Sequence, residues 1–206
     1  MESFLKRYLN DDHCFLCGAQ LSAENRSDEH VIPSWLQEMH DLSNKRLGLL
    51  NDTLIPYRQL VIPCCAPCNN EPLSRMESQV SRLLSGAFRN PSAEEEFRLF
   101  QWCSKILYGF LHREMLLLFD RTDKAAGSIV AKEFLEELTT FHHFMTSIRR
   151  PFHFIDFKPY SLFVVETLTF DEPARNFDYF DFVSLGHGGE FAVVLVLAIR
   201  TNDFGV

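Results

Sequence analysis

The chain has 206 residues, 46% of them hydrophobic and 23% charged, with a net charge of −8. This composition supports a substantial core and excludes a wholly disordered chain. The negative balance, −3 over residues 1–85 and −5 over the remainder, excludes a protein that coats nucleic acid through a global positive field.

Residues 1–10 carry Lys6 and Arg7 but no apolar stretch of the kind that follows the basic residues of a secretory signal. The longest apolar run, residues 191–199, is too short to span a bilayer and reads as a buried strand. A soluble, cytoplasmic protein without a membrane partner is expected.

Six cysteines stand at positions 14, 17, 64, 65, 68 and 103, five of them in two knots. In a long chain without a signal, that clustering points to metal rather than to disulfides. Cys14-Phe15-Leu16-Cys17-Gly18 is a zinc knuckle: two intervening residues let both sulfurs reach one tetrahedral ion, and glycine permits the tight turn after them. Cys65-Ala66-Pro67-Cys68 supplies the other pair of a four-cysteine zinc site. Cys64 offers a competing spacing to Cys68 and is taken as a neighbour. Cys103, within an amphipathic helix, reads as a core thiol.

Forty-seven residues separate the knuckles, too many for a simple ribbon. They contain Asp28-Glu29-His30-Val31-Ile32-Pro33, a carboxylate and an imidazole side by side at a predicted strand end. After the second knuckle come Asn69 and Asn70, then Leu73, Met76, Val80, Leu83 and Leu84 at helical spacing. One zinc would therefore bring His30 and the start of this helix together. Glu77, about two turns beyond Asn70, shares its helix face. Arg75 and Arg82 also share a face, suited to phosphate or to solvent.

Composition changes near Asn90-Pro91, since only two of the 20 phenylalanines precede residue 86. Helices are predicted over 94–119, capped by Ser92 with acids in the first turn, and over 128–148, ended by Arg149-Arg150-Pro151. Strands are predicted over 161–168, 178–185 and 190–200, the last two joined by a Gly186-His187-Gly188-Gly189 hairpin turn. His142 and His143 point about 100° apart on a helix, which disfavours a shared metal. Phe152, Phe154 and Phe157 suit core packing first and a contact surface second.

Taken in order, Cys14-x-x-Cys17-Gly18, Glu29-His30-Val31-Ile32-Pro33 and Cys65-x-x-Cys68-Asn69 resemble the HNH (ββα-metal) endonuclease family, in the variant with four zinc cysteines and asparagine replacing the last histidine. The resemblance covers about residues 14–84. It implies a zinc-stapled ββα-metal module, placed over 1–88. With the two long helices and small antiparallel sheet predicted from the residues of a Phe-rich α+β region over 89–206, the expected fold class is α+β. The resemblance implies hydrolysis of DNA phosphodiester bonds in restriction or phage defence, with an RNA-directed nuclease as an alternative that the sequence does not separate from it. His30 would be the general base. Glu29, in the family's Asp position, and Asn69 would hold a catalytic Mg²⁺ or Mn²⁺, supported by Asn70 and Glu77. The family's middle asparagine has Asn51 as its nearest counterpart. The C-terminal region would serve recognition, homodimerisation or an activating partner protein. The alternative is a zinc-binding adaptor that keeps the fold without cleavage.

Overall fold

The computed structural model describes residues 4, 7–85, 90–118, 122, 123, 125, 127, 134–150, 152, 160, 161, 177–187 and 190–199. The expected strand over 161–168 lies largely outside these residues, as does the start of the second expected helix. The architecture is α+β: among the described residues, helices accompany three two-stranded antiparallel sheets. Among the described residues, no helix is long and apolar enough to cross a membrane.

The first sheet sits between the cysteine knots. Strand β1 (Glu29–His30) pairs antiparallel with β4 (Val61–Ile62), setting Glu29 opposite Ile62 and His30 opposite Val61. Between them run helix α1 (Ser34–Met39) and a hairpin of β2 (Arg46–Gly48) and β3 (Leu54–Pro56). Pro33 fixes the backbone where α1 begins, so the chain turns directly after the acid–histidine pair.

Helix α2 (Ala66–Cys68) passes into a wide π-type turn, Asn69–Leu73, and then into α3 (Ser74–Leu84). Pro72 stands inside that turn and has no N–H to donate to the carbonyl four residues back. The ladder widens there, on the segment that carries Asn69 and Asn70. Met76 and Val80 face the core from α3, as the helical spacing predicts.

Helix α4 (Ala93–Met115) starts at the expected cap: the Glu95 N–H donates to Ser92 Oγ at 3.4 Å, and the Ser92 N–H donates to Glu95 Oε2 at 2.8 Å. It ends earlier than residue 119. Leu116 is exposed and its N–H reaches back only three residues, to the Arg113 carbonyl at 3.2 Å. Helix α5 (Phe134–Met145) continues into a 3₁₀ turn, Thr146–Ile148, ahead of the predicted stop at Arg149. Strands β5 (Phe177–His187) and β6 (Glu190–Ile199) form the expected hairpin, with Gly186 and His187 inside β5.

Helix α4 belongs to the same hydrophobic cluster as the cysteine-bearing segment: Trp102, Ile106 and Leu111 join Phe15, Val31, Leu36, Ile62, Leu73 and Val80. Contact with β1 is close enough to demand glycine. A Cβ on Gly109 would come within 2.7 Å of the Val31 side chain. One turn earlier on α4 stands Lys105, aimed at the end of β1.

Candidate metal centre and acidic cleft

The first knuckle is built by local hydrogen bonds. The Gly18 N–H donates to the Cys14 carbonyl, the Cys14 N–H to the Ala19 carbonyl, both at 2.8 Å, and the Ala19 N–H to Cys17 Sγ at 3.4 Å. Gly18 holds φ +69°, the left-handed geometry that the turn requires. The second knuckle closes with the Cys68 and Asn69 N–H groups donating to the Cys65 carbonyl at 3.0 Å. The Phe15 N–H donates to the Pro63 carbonyl at 2.9 Å and ties the two knuckles together.

The ligating atoms of Cys14, Cys17, Cys65 and Cys68 all lie within 4.8 Å of one another. Cys17 and Cys65 are 3.7 Å apart, sulfur to sulfur. Four Zn–S bonds of ~2.3 Å in a tetrahedron place sulfurs ~3.8 Å apart, so these four cysteines could hold a zinc ion. Cys64 stands beside the cluster, its thiol 3.9 Å from Cys14 Sγ and donating to the Cys65 carbonyl at 3.5 Å. Hydrogen bonds from Cys64 and Cys68 hold Cys14 far below the ordinary thiol range, while burial pushes Cys17 up to about 11. Thiolates this close repel one another, and a bound cation would offset that repulsion.

Next to this centre lies a cleft of about 910 Å³, lined by Asp28, Glu29, His30, Asn69, Asn70 and Glu77, with Trp35 and Arg82 further along. The cleft thus gathers Glu29, His30, Asn69, Asn70 and Glu77, the residues expected to form the catalytic site and its support. Asn51 is elsewhere: it sits in the β2–β3 loop, accepting from the Thr53 N–H at 3.2 Å. Arg82 lines the cleft, whereas Arg75 is exposed outside its lining.

His30 is half-buried, its Nδ1 3.3 Å from Ser34 Oγ at the start of α1. Burial lowers its pKa below the ordinary 6.5, and the charge of Lys105 lowers it further, against weaker upward pulls that include Glu77 and Asp28. Its imidazole is therefore neutral at pH 7 and able to accept a proton. Asn69 donates its amide to Ser27 Oγ at 2.9 Å and to the Asp28 carbonyl at 3.3 Å. Both bonds use Nδ2, which leaves the Oδ1 acceptor for another partner.

Glu29 is only 6% exposed and points inward, where it forms an ion pair with Lys105. The Lys105 ammonium, with no exposure of its side chain, donates to Glu77 Oε1 at 2.8 Å and to the carbonyls of His30 at 2.6 Å and Val31 at 3.3 Å. Burial alone would lower the Lys105 pKa; the charges of Glu29 and Glu77 outweigh it and the pKa is raised. Burial raises the Glu77 pKa despite the neighbouring ammonium. Both acids are thus held on a shared cation, while Asp28, paired with Arg26 at 3.0 Å, is the exposed carboxylate at the rim.

Sequence reasoning missed Lys105, although a lysine between Trp102 and Ile106 on an apolar helix face is a signal that a buried anion awaits it. His142 is buried with Nε2 2.7 Å from the Phe15 carbonyl, and His143 is exposed. Burial pushes Cys103 up to about 12, against the core.

Comparison of the chain with family models, with curated proteins and with solved structures finds no match.

Proposed function

We propose that this protein is a metal-dependent endonuclease of the HNH type, hydrolysing phosphodiester bonds in DNA, with its four-cysteine centre holding structural zinc. The observation that carries this reading is a neutral His30 opening on a polar cleft beside the four-sulfur cluster, with the unengaged Asn69 Oδ1 and the Asp28 carboxylate lining the same space.

His30 is the general base in this reading. Its Nδ1 lies near Ser34 Oγ, which orients the ring, and the low pKa keeps it ready to take a proton from water at neutral pH. The cleft's carboxylate and amide oxygens match the hard-donor set of Mg²⁺ or Mn²⁺ in kind. Asn69 Oδ1 and the rim carboxylate of Asp28 would hold the cation, with Asn70 close by. Glu29, the ligand expected from the family's Asp position, and Glu77 are bound to Lys105 and would have to leave that lysine to ligate. When bound, the cation would stabilise negative charge developing on the phosphate and leaving oxygens. Lys105 neutralises part of the Glu29–Glu77 charge from below, which lessens repulsion of an approaching phosphodiester.

Plasmid nicking with Mg²⁺ or Mn²⁺ tests the reading. His30→Ala is expected to lower the rate by about 10²–10⁴-fold while zinc content and far-UV circular dichroism stay unchanged. Equal rates for the two proteins would overturn the assigned base. The adaptor reading predicts nucleic-acid or protein binding with no nicking by either.

A further inference from the structure

A second cleft, of about 300 Å³, abuts the four-sulfur centre and has the opposite charge character to the first. Arg7, Arg149, Arg150 and His143 line it together with Tyr8 and Cys17, and among the described residues no carboxylate does. In a chain of net charge −8, three arginines converging without an acid are out of keeping with the rest of the surface. All three are exposed, and none is paired with a carboxylate among the described residues.

The cleft is held from several sides. Arg7 lies across the first knuckle: a Cβ on Gly18 would come within 2.5 Å of Arg7 Nε, so the knuckle glycine makes room for it. Its guanidinium stacks over Tyr8, 5.4 Å from the ring centroid. Opposite, the contact between His142 and the Phe15 carbonyl fastens α5 to the knuckle loop. Gln101 on α4 donates to Ser147 Oγ at 2.8 Å and pins the 3₁₀ turn. The Arg149 and Arg150 N–H groups both donate to the Thr146 carbonyl at 3.0 Å, so the two arginines leave a fixed turn beside Cys17.

We infer that this cleft binds phosphates of a nucleic-acid backbone and is where an acidic protein grips its substrate. The inference rests on the nucleic-acid reading above and gives it a substrate-contact site. Arginine forks suit phosphate oxygens, and fixed turns present them with little loss of side-chain freedom. The two clefts flank one centre, since Cys17 lines the basic one and Asn69, next to Cys68, lines the acidic one. A competing role is charge compensation, because a zinc ion on four thiolates carries a net negative charge.

The experiment is fluorescence anisotropy with a labelled DNA duplex in zinc-replete buffer free of Mg²⁺ and Mn²⁺, so binding is read without cleavage. For the Arg149→Gln/Arg150→Gln variant, affinity is expected to fall about tenfold or more near 0.1 M salt. The slope of log affinity against log salt is expected to shrink by about two. Arg149→Lys/Arg150→Lys is expected to retain most of the slope, and Arg46→Gln to leave both quantities unchanged. An unchanged salt slope in the Gln variant, or no DNA binding by the wild-type chain, overturns the inference. So does a Gln variant that loses zinc but not DNA affinity, which is the compensation outcome. Loss of binding to phosphatidylserine vesicles with DNA binding intact would assign the cleft to a membrane instead and overturn it too. Cleavage plays no part in these readings, so failure of His30 as a base leaves this result separately interpretable.

Discussion

Lys105 Nζ lies 2.8 Å from Glu77 Oε1 beneath the acidic cleft, joining α4 to α3 at the point where β1 ends. Glu29 shares the same ammonium. Removing one partner of a buried pair strands the others, at a cost of about 3–5 kcal/mol. Lys105→Met is therefore expected to destabilise the protein on that scale in urea denaturation. Glu77→Gln is expected to cost less, because Glu29 still balances the lysine. A loss under about 1 kcal/mol for Lys105→Met would show that the triad is not a structural tie.

The depressed pKa of His30 sets the direction of the pH dependence. A base works when neutral, so nicking is expected to hold above the folded-state pKa and fall as pH drops through it. With that pKa below the ordinary 6.5, the acid limb of the rate profile should have its midpoint below 6.5. A midpoint above 6.5 would contradict the combined effect of burial and Lys105.

Two adjacent cysteines should behave differently. Cys65 belongs to the four-sulfur cluster, whereas Cys64 touches Cys14 from beside it. Elemental analysis of Cys65→Ser is expected to show most of the zinc lost, with cooperative folding lost alongside it. Cys64→Ser is expected to keep about one zinc per chain. Zinc lost equally from both would redraw the ligand set.

His112 is fully buried on α4, and burial takes its pKa from 6.5 to about 4. Between those values the unfolded chain binds a proton that the folded chain refuses. Stability is accordingly full above pH 6.5, falls as pH drops towards 4, and levels off below. The loss from this residue is on the order of 3 kcal/mol. Denaturation curves for wild type and His112→Leu at pH 7, 5.5 and 4.5 check it: the variant's decline should be shallower, and parallel declines would refute it.

Short-range rules made several features legible. Two residues between cysteines close each knuckle whatever surrounds it, Ser92 and Glu95 cap α4 within one turn, and the spacing of Met76 and Val80 marks the inner face of α3. The hairpin of β5 and β6 is likewise local. The gathering of His30, Asn69, Asn70 and Glu77 into one cleft could be anticipated because the two CxxC pairs bring their chain segments together.

What only the tertiary structure decided is where each charge goes. The motif Glu29-His30 does not say that Glu29 turns inward, because its partner Lys105 lies on a helix some 75 residues away and is oriented by the close approach of Gly109 to Val31. The three arginines of the basic cleft come from two distant segments and meet through the His142–Phe15 contact. Spacing along the chain specifies bonds closed within a turn or two, while burial of charge is settled by what a distant element brings to meet it. For this protein, the four-cysteine cluster was readable in the sequence, and the electrostatics of both clefts belong to the fold.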